Sequence, residues 1–135
     1  MNLNNIVKVE KIVAENLDMV RTALDEVVVD NTCVFTEVEC VTPVSVESAG
    51  ADDDKNNIYN HKMVLKVMPG EQFPNYGHYA FRLTTASGKR YLFGANERPW
   101  VMISSNETHP DVVKNQQGLT ITLEYKSIFS LPQIR

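Results

Sequence analysis

Tyr79-Ala80-Phe81-Arg82-Leu83-Thr84-Thr85-Ala86-Ser87-Gly88-Lys89-Arg90-Tyr91-Leu92-Phe93 is the stretch whose reading decides the fold. Successive side chains of an extended chain point to opposite faces, so Tyr79, Phe81 and Leu83 fall on one face and Ala80, Arg82 and Thr84 on the other. Ala86-Ser87-Gly88-Lys89 then offers a turn in which Gly88 can take positive φ, and Tyr91 and Phe93 resume the aromatic alternation. The spacing predicts an antiparallel hairpin with a strongly apolar face.

The same period of two recurs on both sides. Upstream, Tyr59, His61, Met63, Leu65 and Val67 share one face, with Asn60, Lys62, Lys66 and Met68 on the other, and the pattern stops at Pro69-Gly70. Residues 48 to 57 have almost no apolar content and carry three adjacent aspartates, which reads as an exposed loop or hairpin tip. Downstream, Trp100 to Ile103 reads as a short strand after Pro99. Ser104 to Gly118 reads as polar loop, and Leu119, Ile121, Leu123 and Tyr125 form a closing strand.

The N-terminal part is less regular. Asn5 to Val13 is rich in β-branched residues and reads as a strand of imperfect alternation. Asn16 can cap a helix over 16 to 26, because Leu17, Val20, Leu24 and Val27 recur at intervals of three and four and Asp18 sits in the first turn. Val34, Val38 and Cys40 then alternate with Phe35, Glu37 and Glu39 as a strand suits, and Pro43 ends it or marks an edge. The expected fold is mainly β (α+β). It is an antiparallel β-sandwich or small barrel of about six or seven strands with one short N-terminal helix, in a single domain over residues 1 to 135.

Composition narrows the function classes. Apolar content of 43% and charged content of 22% are those of an ordinary globular chain. A net charge of −4, with only Lys89 and Arg90 as adjacent basic residues, argues against nucleic acid, whose recognition rests on clustered cations. Lys8, Glu10 and Lys11 interrupt the apolar residues of the N-terminus, and no stretch approaches the roughly 20 apolar residues of a membrane-spanning helix. The reading is a protein made in the cytoplasm, with no membrane partner. Cys33 and Cys40, seven apart, would lie about 23 Å apart on one strand, so free buried thiols are expected.

Searching for chemistry gives little. His61, His78 and His109 show no close metal-ligand spacing, Asp52 to Asp54 lack the pattern of a calcium loop, and neither a nucleophile elbow nor a phosphate-cradling glycine loop is present. No cofactor is expected, and His61 reads as a hydrogen-bonded core residue. The aromatic group Phe73, Tyr76, Tyr79, Phe81, Tyr91, Phe93 and Trp100 reads first as core. Its second reading is a ligand surface in which Tyr76, Tyr91 and Trp100, with Arg98 beside them, contact a small molecule or glycan.

The run from Tyr79 to Gly94, the segment Asn96-Glu97-Arg98-Pro99 and the late strand Gly118-Leu-Thr-Ile-Thr-Leu-Glu-Tyr125 together resemble small β-rich proteins of phage and prophage structural modules. The resemblance covers the C-terminal part of the chain and lies in its overall pattern. It implies a non-catalytic virion or tail-assembly component. Such a protein would work by ring formation, or by docking among copies of itself and other structural proteins, through a sheet edge near Pro99 or Pro43.

Overall fold

The fold is organised around Leu3–Val13 (β1), which has strands on both sides. A computed structural model describes residues 3–41, 43–53, 56–67, 78–108, 118–127 and 131–135. After a single 3-10 turn at Ala14–Asn16 come Met19–Ala23 (β2), Glu26–Val29 (β3), Thr36–Glu37 (β4), Val44–Asp53 (β5) and Asn56–Val67 (β6). Tyr79–Thr85 (β7), Arg90–Phe93 (β8), Met102–Thr108 (β9), Gly118–Ser127 (β10) and Gln133–Ile134 (β11) complete the set. They form one sheet in the order β2-β3-β11-β8-β7-β1-β5-β6-β10-β9, with β4 set against β1. Every pairing is antiparallel except that of β11 with β3.

The sheet is a curled, open half-barrel. A single contact demonstrates the curl. Between β8 and β10 stand β7, β1, β5 and β6, which at normal strand spacing would separate the two by about 24 Å in a flat sheet. Yet the rings of Phe93 on β8 and Tyr125 on β10 lie 5.9 Å apart. The inner face buries Ile6, Val9, Met63, Leu65, Phe81, Leu83, Phe93, Ile121 and Leu123 completely or nearly so.

Local chemistry explains the bending of β1. Its pairing slips between Leu3 and Ile6 on the β5 side and between Ile6 and Lys8 on the β7 side, so two bulges fall within one turn of chain. Asn5 sits there at φ 60°, a left-handed conformation that Asn tolerates better than other side chains with a Cβ. The imperfect alternation of residues 5 to 13 is thus the record of bulges, and bulges strengthen the local twist.

The predicted hairpin forms as read, with Phe81 opposite Phe93, Leu83 opposite Tyr91 and Gly88 at φ 88° in its turn. The strands over 59 to 67 and 119 to 126 also form and pair in unbroken register from Leu119↔Val67 to Ser127↔Tyr59. The polar 48 to 57 stretch is a hairpin whose arms run as far as Asp53 and from Asn56. Strand β9 carries on through residues that read as loop.

The N-terminal helix is a correction. Residues 19 to 29 form the β2–β3 hairpin, and there is no α-helix among the described residues. Of the presumed stripe, Leu17 and Val27 are buried, whereas Val20 is 62% and Leu24 71% exposed. The β-branched Val20, Thr22, Val27, Val28 and Val29 favour an extended backbone. The C-terminal segment adds a partner that no local pattern reveals. β11 inserts between β3 and β8, with Gln133 donating to the Asp25 carbonyl, Arg135 to that of Val27 and Leu92 to that of Pro132. Strand number rises accordingly, from the six or seven expected to eleven among the described residues, because β2, β3, β4 and β11 are short or irregular. The described strands make one curled sheet.

A second, smaller apolar cluster occupies the outer face: Ile12, Leu17, Val27, Ala80, Leu92 and Ile134. Beside it Arg82 grips Glu10 with two hydrogen bonds of 2.9 and 2.7 Å, and its guanidinium lies 4.2 Å from the centre of the Phe35 ring. Burial pushes the Glu10 pKa up, but the hydrogen bond and charge of Arg82 outweigh this, so the carboxyl sits below its ordinary value.

Because that folded value is lowered, the contribution of the pair is complete above the unfolded carboxylate pKa and is lost as the pH falls through the folded one. Arg82→Met keeps the aliphatic stem and leaves Glu10 opposed to burial with only Lys8 and Arg90 to help. Urea unfolding at pH 7 is expected to show a loss of about 2 kcal/mol. The deficit should shrink as the pH is lowered through the carboxylate range and Glu10 takes up a proton.

Candidate functional site

Where the curl brings the two ends of the sheet toward each other, a cavity of about 620 Å³ opens. Its walls come from four places: Met19 and Arg21 on β2, Ile58 on β6, Tyr125, Lys126 and Ser127 at the end of β10, and the connection Ala95–Pro99 between β8 and β9. Alternation along β10 turns Tyr125 and Ser127 inward and leaves Lys126 exposed.

The 95–99 connection is held at several points. Gly94 has φ 115°, and a Cβ there would stand 2.9 Å from Val101 Cγ2 and 3.2 Å from the Ala80 Cα, so no other residue fits without displacing backbone. The Asn96 side-chain amide donates to the Leu17 carbonyl at 3.1 Å, tying the connection to the segment that leads into β2. The Arg98–Pro99 peptide is cis. Trp100 then stacks on His78, with ring centres 4.4 Å apart and planes within 8° of parallel. These anchors bring Glu97 and Arg98 into the cavity wall.

The cavity is amphipathic. Met19, Ile58, Pro99 and the Tyr125 ring offer apolar surface, and among the described residues the charged lining is Arg21, Arg98, Lys126 and Glu97. Arg21 also donates to the Leu24 carbonyl at 3.1 Å. The Tyr125 phenol is hydrogen-bonded to Ser127, and its pKa is raised, chiefly by burial and further by Glu97, against the opposing hydrogen bond and the charge of Arg21. It therefore stays a neutral hydrogen-bonding group at physiological pH.

Of the four residues nominated from the sequence, the structure places one here. Arg98 lines the cavity. Tyr91 is half-buried on β8 and packs against the main core, while Trp100 is engaged with His78. Tyr76 lies outside the described residues. Tyr79, Phe81 and Phe93 are core, as first read. Sequence reasoning missed Met19 and Arg21, which it placed on a helix, and Lys126 and Ser127, whose positions mattered only once β10 met the far end of the sheet.

Other candidates resolve into structure. His61 has no exposure, shares a 2.7 Å hydrogen bond with Ser48 Oγ, and stacks between Tyr59 and Tyr125. Cys33 and Cys40 are free thiols, half-buried rather than fully buried. Cys33 accepts from the Asp18 N–H at 3.2 Å, and Cys40 makes an isolated bridge to Val67. His109 is outside the described residues. Among the described residues no three His, Cys, Asp or Glu side chains group as metal ligands, and no helix is long and apolar enough to cross a membrane.

The two ends of the sheet differ. β2 is short, slips in register between Arg21 and Ala23, and carries Arg21. β9 pairs with β10 over seven consecutive residues without a slip, and its sequence Met-Ile-Ser-Ser-Asn-Glu-Thr contains no Lys and no Pro. No strand pairs with its outer side among the described residues. No protein-family model matches the chain, and no curated protein or solved structure matches it.

A spectrophotometric titration of the tyrosines checks the cavity's electrostatics. Tyr125→Phe is expected to remove a component that titrates above the ordinary value of 10.0 and to leave the rest in place.

Proposed function

We propose that this chain is a non-catalytic structural or assembly protein, of the class found in phage and prophage head and tail modules, acting through protein–protein contacts. The observation that carries the reading is the outer edge of β9, which no strand covers among the described residues. Natural sheets blunt exposed edges with lysine, proline, bulges or brevity, because an unpaired row of N–H and C=O groups accepts any extended chain. β2 is short, slipped in register and basic, whereas β9 has no slip in register, no lysine and no proline. An edge kept straight, seven residues long and free of lysine and proline suits addition of a strand from another copy or another structural protein. It begins three residues after Pro99, near which the resemblance implied an edge. Met102, at 58% exposure, supplies an apolar contact beside the backbone groups. The resemblance of the C-terminal strands to virion components points the same way, and assembly at synthesis in the cytoplasm followed by residence in a virion accords with it.

Light scattering coupled to size exclusion over a concentration series tests this. The chain is expected to form a discrete oligomer. Met102→Lys with Ser104→Lys, which would set like charges facing one another across a shared edge, is expected to return it to a folded monomer whose melting temperature no longer depends on concentration. A strict monomer up to about 1 mM, in a genome setting without capsid or tail genes, would contradict the reading.

A further inference from the structure

We propose that the cavity at the meeting of the two sheet ends binds a small amphipathic organic anion, with its acidic head on Arg98 and Lys126 and its apolar part against Met19, Ile58, Pro99 and Tyr125. Three features lead there. The space, about 620 Å³, is of the size that holds small-molecule ligands, and its lining combines apolar surface with a few polar groups. Among the described residues that line it, Arg98 and Lys126 face one carboxylate, Glu97, and Arg21, which is engaged elsewhere as well, adds further positive charge. Among the described residues neither Arg98 nor Lys126 forms an ion pair.

The architecture keeps those charges in place. Arg98 sits on a connection fixed by Gly94, by the Asn96 bond to Leu17 and by the Trp100–His78 stack, so the guanidinium is carried on a constrained backbone. Lys126 is the penultimate residue of β10 and pairs there with Asn60 on β6. A preorganised cation loses less on binding than one on a mobile loop. Arg98 can also meet a carboxylate or phosphate with two parallel hydrogen bonds. Glu97 and the neutral Tyr125–Ser127 pair add discrimination: a ligand bearing a hydroxyl or amide near its acid could bond to them, whereas a fully charged polyanion would meet the Glu97 carboxylate. The ligand class is therefore a monoacid with an apolar body, and the site does not depend on strand addition at β9.

Isothermal titration of the full chain with sodium octanoate, octyl phosphate, 1-octanol and octylamine tests the proposal. Octanoate or octyl phosphate is expected to bind with saturation, and the stronger of the two identifies the acid as carboxylate or phosphate. Octanol and octylamine should bind at least about tenfold more weakly. Arg98→Gln and Lys126→Gln are each expected to weaken the anion about tenfold, and Arg98→Lys to restore part of the loss, with melting temperatures unchanged because both side chains are exposed. Equal binding of octanol and octanoate, anion affinity unaffected by both substitutions, or no heat from any of the four ligands at millimolar concentration would each overturn it.

Discussion

A strand has two edges, and β1 must serve three partners with them. β7 takes one side along most of its length, from Ile6 to Val13, while the other side is divided between β5 near Leu3 and β4 near Glu10. The division falls beside the slips in register of β1. The bulges around Asn5 to Lys8 turn the chain and send β5 away from β4, and the small β4 strand fills the fork. Bending at this point brings the Phe93 and Tyr125 rings into contact across five strand spacings.

That curl has two consequences for function. It encloses an apolar interior, so the large aromatic residues of β7 and β8 go into core packing rather than onto a surface. It also leaves the sheet short of closure, so β2 and the end of β10 face each other across a cavity instead of pairing. The C-terminal segment fixes the position of β2, because β11 bridges β3 to β8 and the Arg135–Glu26 pair, at 3.2 Å, sits beside that seam. The same curl thus gives the sheet a filled interior, a cavity lined by apolar and charged residues, and an outer edge at β9 that no strand covers among the described residues.

The parts legible in the sequence were those whose partners lie close along the chain or whose alternation is uninterrupted. Tyr79 to Phe93 announced its own turn, and Tyr59 to Val67 and Leu119 to Tyr125 showed their inward faces plainly. Residues 16 to 29 misled because Leu17, Val20, Leu24 and Val27 fit a helical stripe by spacing alone. The hairpin they form is extended by β11, which lies about a hundred residues away in sequence and cannot be read from a local window. Arg98 could be nominated from its place beside Pro99 and Trp100. Its cavity partners Arg21 and Lys126 could not, since only the curl of the sheet brings β2 to the end of β10. Pairing distant in sequence is the information that alternation does not carry.

Residue-resolved amide hydrogen exchange on the dilute chain tests most directly that the sheet is open at β9 and organised on β1. In an edge strand alternate N–H groups point away from the sheet. The amides of β1, β7 and β10 should exchange only through global unfolding, and within the seven residues of β9 fast and slow amides should alternate. Uniform protection of all of β9 in the monomer would show that the chain covers this edge itself, and the account of an open, contact-making sheet would fail.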